Sequence, residues 1–216
     1  MRDACRDLRQ YLRYGHHECV ATTIDVEGVY NSAPMGVELF NDSIILKPYI
    51  STRTYSNIVS VGEVLLNITN DSLIYYYALF KPERIKYGKS RHIRPPRILG
   101  SIDLYVETMV ISIDKIDESV AKVSLRPICC YEGSGSKLAF SRANSLLVEA
   151  LIHYTKLLPL INDGKFDEVK HRYEAIKEVY DVVLRLGSKD INEAVEEILL
   201  KSSDLVRSGG INASLI

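Results

Sequence analysis

Residues 20–47 read VATTIDVEGVYNSAPMGVELFNDSIILK. Val20, Thr22 and Ile24 alternate with Ala21, Thr23 and Asp25, the two-residue period of a strand with one face turned to a core. Asp25-Val26-Glu27-Gly28 has turn composition, a second strand is predicted over residues 30–39, Asn41-Asp42 makes the next turn, and residues 43–47 form a third strand. Strands joined by such short turns pair antiparallel with their neighbours, so the stretch predicts a β meander.

Working outward, residues 54–61 predict a short helix ended near Gly62, followed by the strand Val64-Leu65-Leu66-Asn67-Ile68. Residues 71–80, with Tyr75-Tyr76-Tyr77, fit either a short helix or an extended segment. Residues 81–97 predict a loop, because Pro82, Gly88, Pro95 and Pro96 interrupt them. Their charge is one-sided: Lys81, Arg84, Lys86, Lys89, Arg91, Arg94 and Arg97 stand against Glu83. Two long strands, over 102–113 and 120–131, flank a turn at 114–119.

At Gly133-Ser134-Gly135-Ser136 the alternation stops and three helical patterns follow. The first, over 141–161, spaces Leu147, Leu151, Tyr154, Leu158 and Ile161 by three and four. The second, over 166–186, does the same with Phe166, Val169, Tyr173, Ile176, Tyr180 and Val183 before Gly187. The third begins with Asp190 and Glu193 as cap and first-turn acid and carries Ile191, Ala194, Ile198 and Leu205. The expected fold class is therefore β-rich α+β: a six-stranded antiparallel barrel followed by a three-helix unit, with no βαβ alternation. The expected organisation is an N-terminal extension over 1–17, the barrel over 18–132, a helical part over 133–207 and a flexible tail over 208–216.

With 46% apolar and 25% charged residues, the 216-residue chain has the material for a core and lacks the composition of a disordered protein. A formal net charge of -1 gives no bulk attraction to nucleic acid or to an anionic membrane. The basic run carries no interleaved aromatic beyond Tyr87, which argues against RNA as a partner. No apolar run has bilayer-spanning length, and Arg2, Asp3, Arg6, Asp7 and Arg9 are too polar for a signal peptide, so a cytoplasmic protein is expected. Cys5, Cys19, Cys129 and Cys130 lack the spacing of a zinc site and predict no disulfide framework. His16-His17, accompanied only by Glu18, reads as a surface pair, so no metal ligands are assigned.

The third strand runs out at Pro48 into Ser51-Thr52-Arg53-Thr54-Tyr55-Ser56-Asn57-Ile58. Three hydroxyls, a guanidinium and the free N–H groups of a helix start suit a phosphate, since unsatisfied amides and the positive helix end favour anions and Arg adds planar, charge-assisted bonds. The same residue types also make an ordinary hydroxyl-rich helix cap.

Taken in order, Ala33-Pro34-Met35-Gly36-Val37, the 51–58 stretch, Val64 to Thr69, Ser141-Arg142-Ala143 and Val148-Glu149-Ala150 make the chain resemble the FMN-binding split-barrel superfamily of pyridoxamine phosphate oxidase and flavin reductases. More narrowly, it is similar to the largely archaeal, uncharacterised DUF447-type flavoproteins over about residues 18–160. The resemblance implies a homodimer with FMN at the subunit interface. It implies phosphate contacts from Ser51, Thr52, Arg53 and Thr54, with Asn57 one turn on, and ring contacts from Pro34, Met35, Gly36 and Asn67. Gly36 would let a flat ring approach backbone, Met35 would offer it a polarizable surface, and Asn67 has the competing role of satisfying a strand end.

Arg142 and Glu149, seven apart, are spaced for an ion pair at that interface or for a solvated helix edge. Flavin carries hydride chemistry in its own ring, so the absence of a Ser-His-Asp or paired-carboxylate pattern does not count against an oxidoreductase, and no catalytic residue is assigned. The implied function is a flavin-dependent reductase or oxidase acting on a small heterocyclic or nicotinamide substrate. The other readings are a module that holds FMN or another phosphorylated ligand without turnover, and a structural or regulatory dimer without cofactor.

Overall fold

The computed structural model describes Cys5, Leu8, Leu12 and residues 16–135 and 142–210. Strand β1, His16–Ile24, turns at Asp25 into β2, Tyr30–Phe40. The Asp25 Oδ1 accepts the N–H groups of Glu27 at 3.0 Å and Val29 at 2.8 Å, and Gly28 supplies the left-handed φ of 90° that closes the turn. Strand β3, Ser43–Leu46, follows a tight turn, and helix α1, Arg53–Val61, leads to β4, Glu63–Ile68. Helix α2, Ser72–Phe80, resolves the open reading of the tyrosine-rich segment, with the Asp71 side chain accepting the Leu73 N–H at its start.

A single 3-10 turn, Pro82–Arg84, then precedes two three-residue strands, β5 Lys86–Gly88 and β6 Arg97–Leu99. The expectation of a plain loop over 81–97 is corrected here: its ends pair antiparallel, with Tyr87 opposite Ile98. Strands so short carry too few alternating positions to register as a period. Long strands β7, Leu104–Lys115, and β8, Ala121–Glu132, complete the sheet.

The six strands β1-β2-β3-β8-β7-β4 close into a barrel in which every pairing is antiparallel. One side-chain set from each strand fills the interior: Cys19 and Ala21, Val37, Ile44 and Leu46, Val64 and Leu66, Leu104 and Val106, Val123 and Leu125. Ile58 of α1 joins them, fully buried, so this helix stops one end of the barrel. Its last turn ends on Gly62 at φ 73°, whose N–H bonds the Ile58 carbonyl.

The outward set of β1, β4 and β7 is also buried in part, because α2 and the β5–β6 hairpin lie over it. Thr22, Leu65, Asn67, Tyr105 and Glu107 belong to this layer, with Ile74, Tyr75 and Ile98 packed as the covering side. Buried residues on both sides of the wall explain why β4 reads as a continuous apolar run.

The cysteine expectation also needs correction. Cys5 and Cys130 form a disulfide, with Cα atoms 5.1 Å apart across 125 positions. Spacing along the chain says nothing of two cysteines brought together only by the closed barrel.

Residues 1–138 and 139–216 form two compact units. The second holds α3 Arg142–Asn162, α4 Phe166–Leu186 and α5 Lys189–Ser208, each packed on the other two. Helix α5 starts at Lys189 after an extended Ser188, one residue ahead of the expected Asp190. Gly187 lacks a left-handed φ and is required for another reason: a Cβ there would lie 2.9 Å from the Val183 carbonyl and press on Asn192. Ser136, Ser141 and residues 211–216 of the expected boundary, first helix and tail lie outside the described residues, as do most of residues 1–15 and the side chain of Arg142. Glu149, read either as an interface partner of Arg142 or as part of a solvated edge, lies 3.4 Å from His153 one turn on.

Candidate functional site

Helix α1 has two faces with different work. Thr54, Asn57 and Ile58 point inward and are 3%, 2% and 0% exposed. The Asn57 Nδ2 donates to Thr23 Oγ1 at 3.1 Å, and Asn31 Nδ2 donates to Thr54 Oγ1 at 3.0 Å, so the helix is pinned to the end of the β1–β2 hairpin. Ser51 and Arg53 stand exposed at its start. Thr52 is the N-cap: its hydroxyl accepts the Tyr55 N–H at 3.3 Å and donates to the Tyr49 carbonyl at 2.7 Å.

Among the described residues the Arg53 and Thr54 amides, the first two of the helix, have no hydrogen-bond partner. The Arg53 guanidinium, on the first residue of the helix, reaches the β1–β2 turn, its Nη2 3.2 Å from Asp25 Oδ2 and its side chain about half exposed. The Asp25 carboxyl is held below its ordinary value, first by the Val29 N–H and then by Arg53. The corner thus presents two N–H groups, a hydroxyl and an oriented cation, a donor set for an anion.

The Pro34-Met35-Gly36 segment divides between the two faces of β2. Met35 packs against the barrel interior, and its carbonyl accepts the Cys19 thiol at 3.4 Å. Pro34 and Gly36 lie on the outer face, where Gly36, Glu38, Ile45 and Lys47 line a small depression of about 70 Å³ closed by a 3.1 Å Lys47–Glu38 ion pair. Among the described residues, 37–40 of β2 pair with β3, whereas 30–36 pair only with β1, so no described strand covers the edge of β2 beside Gly36. Pro34 therefore sits where a missing donor disturbs no ladder on that side.

Asn67 stands in the same cross-strand row as Pro34, both opposite Val20 of β1. Its amide is fully engaged: Nδ2 donates to the Val20 carbonyl at 2.8 Å and Thr22 Oγ1 at 3.1 Å, and Oδ1 accepts the Ile98 N–H at 3.0 Å. The structure thus brings Ser51, Thr52, Arg53, Thr54 and Asn57 to one corner, puts Pro34 and Gly36 on the neighbouring wall, and turns Met35 and Asn67 into packed positions.

Sequence reasoning missed the residues that hold this corner in place. Thr23 and Asn31 read as ordinary strand residues and Asp25 as a turn former. Only the unusual polarity of Thr22, Thr23, Asn31 and Ser32 within strands gave a signal that something besides apolar packing meets them there.

A closed six-stranded antiparallel barrel, stopped by the helix after its third strand and followed by a helical unit, defines a protein of the split-barrel class. Residues 17–131 match the model described as the N-terminal domain of DUF447, a protein family of unknown function, and the chain belongs to that family. It is similar in structure to the FMN-bound protein MM1853 from Methanosarcina mazei, assigned to DUF447, with a TM-score of 0.73 over 91% of this chain and 100% of that one at 17% identity. A likeness at this identity is one of fold.

Two further structures share part of the chain. The 2-nitrobenzoate 2-nitroreductase NbaA of Pseudomonas fluorescens matches 61% of this chain and 73% of its own at 14% identity and a TM-score of 0.48. The styrene monooxygenase flavin reductase of Pseudomonas putida matches 60% and 88% at 12% identity and a TM-score of 0.47.

Proposed function

We propose that the protein is a homodimeric FMN-binding flavoprotein that works as an oxidoreductase on a small substrate, a nicotinamide nucleotide being the first to test. The observation that carries the reading is the pair of unpartnered amides at Arg53 and Thr54 at a helix start whose own guanidinium is held by Asp25, in a chain whose fold follows that of an FMN-bound member of its own family. The donors fit a phosphate monoester: Ser51, Arg53 and the two amides would hold it, while Thr52, Thr54 and Asn57 would act from behind by fixing the helix. Charge-assisted bonds of about 1.5–3 kcal/mol each, less the ordering they require, support a dissociation constant of roughly micromolar size.

Pro34 and Gly36, on the outer face of β2 beside its open edge, would carry the ring. Gly36 keeps side-chain bulk from that wall, and backbone groups along the edge offer hydrogen bonds to ring heteroatoms. FMN, when bound, supplies the hydride chemistry itself. Exposed Phe40, Met109, Ile111 and Ile128 on barrel strands support an interface between two copies, since aromatic residues and methionine are enriched there.

The test is a visible absorption spectrum of the purified, FMN-reconstituted protein, followed by anaerobic addition of NADH and NADPH. Bound-flavin bands that bleach support the oxidoreductase, and bands that persist through both additions leave a binding module. A protein that stays colourless with excess FMN reduces the corner to a helix cap.

A further inference from the structure

A further concave site of the barrel unit lies in the basic hairpin. Tyr87, Gly88, Lys89, Ser90, Ile93, Arg94 and Pro96 line an open cavity of about 420 Å³. Within residues 81–97 seven cations face one acid, in a chain whose net charge is -1. Like charges packed this closely repel, and a loop free to do so spreads its cations into solvent.

This hairpin is fastened instead. The buried Glu107 carboxyl accepts the Arg91 and His92 N–H groups at 2.6 and 2.8 Å, and Glu63 Oε2 accepts the Arg94 N–H at 2.9 Å and its Nε at 3.2 Å. The Ser90 hydroxyl bonds the Pro95 carbonyl, and Pro95 is buried. The anchors therefore take hold largely through the backbone. They leave the Lys89 ammonium with no partner among the described residues and leave the Arg94 terminal nitrogens clear of the Glu63 contact.

The cavity also adjoins the wall assigned to the flavin ring. Tyr87 forms its side, donates to Ser32 Oγ at 3.0 Å two residues from Pro34, and packs its ring at a tilt of 59° against Tyr30, 4.5 Å between centroids. We infer that the basic hairpin cavity docks the anionic part of a small organic substrate carrying two or more phosphate or carboxylate groups, with Lys89 and Arg94 as the binding cations and Tyr87 as the wall between this site and the outer face of β2. As the substrate side of the flavoprotein it rests on the proposed function; as an anion site it stands by itself.

Pyrophosphate is the probe. Isothermal titration at low ionic strength, on protein with and without added FMN, is compared with sulfate at equal ionic strength. The expected result is pyrophosphate binding at least about tenfold tighter than sulfate, with amide shifts at Gly88, Lys89, Ser90 and Arg94 in a heteronuclear spectrum, and loss of about tenfold or more in Lys89→Glu/Arg94→Gln. Lys170→Glu, on α4, is the control and should leave the affinity unchanged.

Pyrophosphate bound no better than sulfate, equal loss in the control, or shifts centred on Arg53 instead of the hairpin would overturn the inference, as would a single-stranded RNA oligonucleotide that binds far more tightly and displaces the probe. Because binding is read directly and not through the flavin, a colourless protein that takes up pyrophosphate at the hairpin refutes only the flavin assignment. A yellow protein indifferent to pyrophosphate refutes only this one.

Discussion

The Arg53 guanidinium and the Asp25 carboxyl meet at 3.2 Å across 28 positions of sequence, joining the start of α1 to the turn between β1 and β2. The ion pair is half exposed and adds little stability by itself. Its effect is positional, because it fixes the guanidinium of the residue that opens the helix against the β1–β2 turn.

Replacing Arg53 with Ala removes one charge-assisted contact and should weaken FMN binding by about 10- to 100-fold, with little change in melting temperature. Thr54→Val should do the opposite. It takes the acceptor from Asn31 and is expected to lower stability by about 1 kcal/mol, roughly 2–4 °C at this chain length, with a smaller effect on flavin. Flavin titration and thermal melts of both variants check the division of labour, and an Arg53→Ala protein with parental FMN affinity refutes it.

The pH dependence of the corner follows from Asp25. Its folded carboxyl is depressed, so the interactions that depress it are present above the ordinary Asp value of about 3.9 and are lost as pH falls through the lower folded value. A carboxyl-detected titration should place the Asp25 midpoint below that of an unstructured Asp and move it upward in Arg53→Ala, though by less than the whole shift because the Val29 N–H remains.

Asn67→Leu is predicted to be a stability variant before it is a flavin variant. The buried Ile98 N–H loses its acceptor and the Val20 carbonyl a donor, at a combined cost of about 2–4 kcal/mol. A melt within a degree of the parent would show that the β6 segment finds other partners.

How much of this was legible in the sequence differs from element to element. The C-terminal helices and most barrel strands announce themselves through side-chain period, while β4, buried on both sides, shows as a short apolar run between turns. The hairpin over 86–99 does not, because three-residue strands have no period and their stability comes from Asn67 and Glu107 far away in sequence. At the candidate site, the anion-favouring helix start could be read locally. The face on which Met35 lies could not be settled without the register, which a shift of one residue would reverse. Glu107 has no sequence neighbour that marks it out, and only the covering hairpin makes it a buried acceptor.

Glu107→Ala should free the hairpin tip without opening the barrel. Hydrogen exchange at the Arg91 and His92 amides is expected to rise by about tenfold or more, while exchange in β1 and β4 stays near parental. Faster exchange throughout the barrel would mean that the tip and wall unfold together.

The Cys5–Cys130 bond is checked by mass spectrometry of a non-reduced digest, in which peptides bearing the two residues should travel as one species. Cys5→Ser should lower the melting temperature, because a link across so long a loop restricts the unfolded chain, by about 4–5 kcal/mol in the chain-entropy account. Cys19→Ser, at a thiol raised well above its usual value by burial, should leave the linked species intact.

The inward side of α1 is a cork for the barrel, seated by Ile58, Asn57 and Thr54, while its exposed start carries the donors. A ligand leaving that start has no need to unseat the cork, so exchange of the bound group can proceed on a rigid scaffold at a rate set by its own contacts. Heat that loosens the cork, by contrast, must scatter the donors at the same moment, so affinity and barrel integrity should vanish at one temperature.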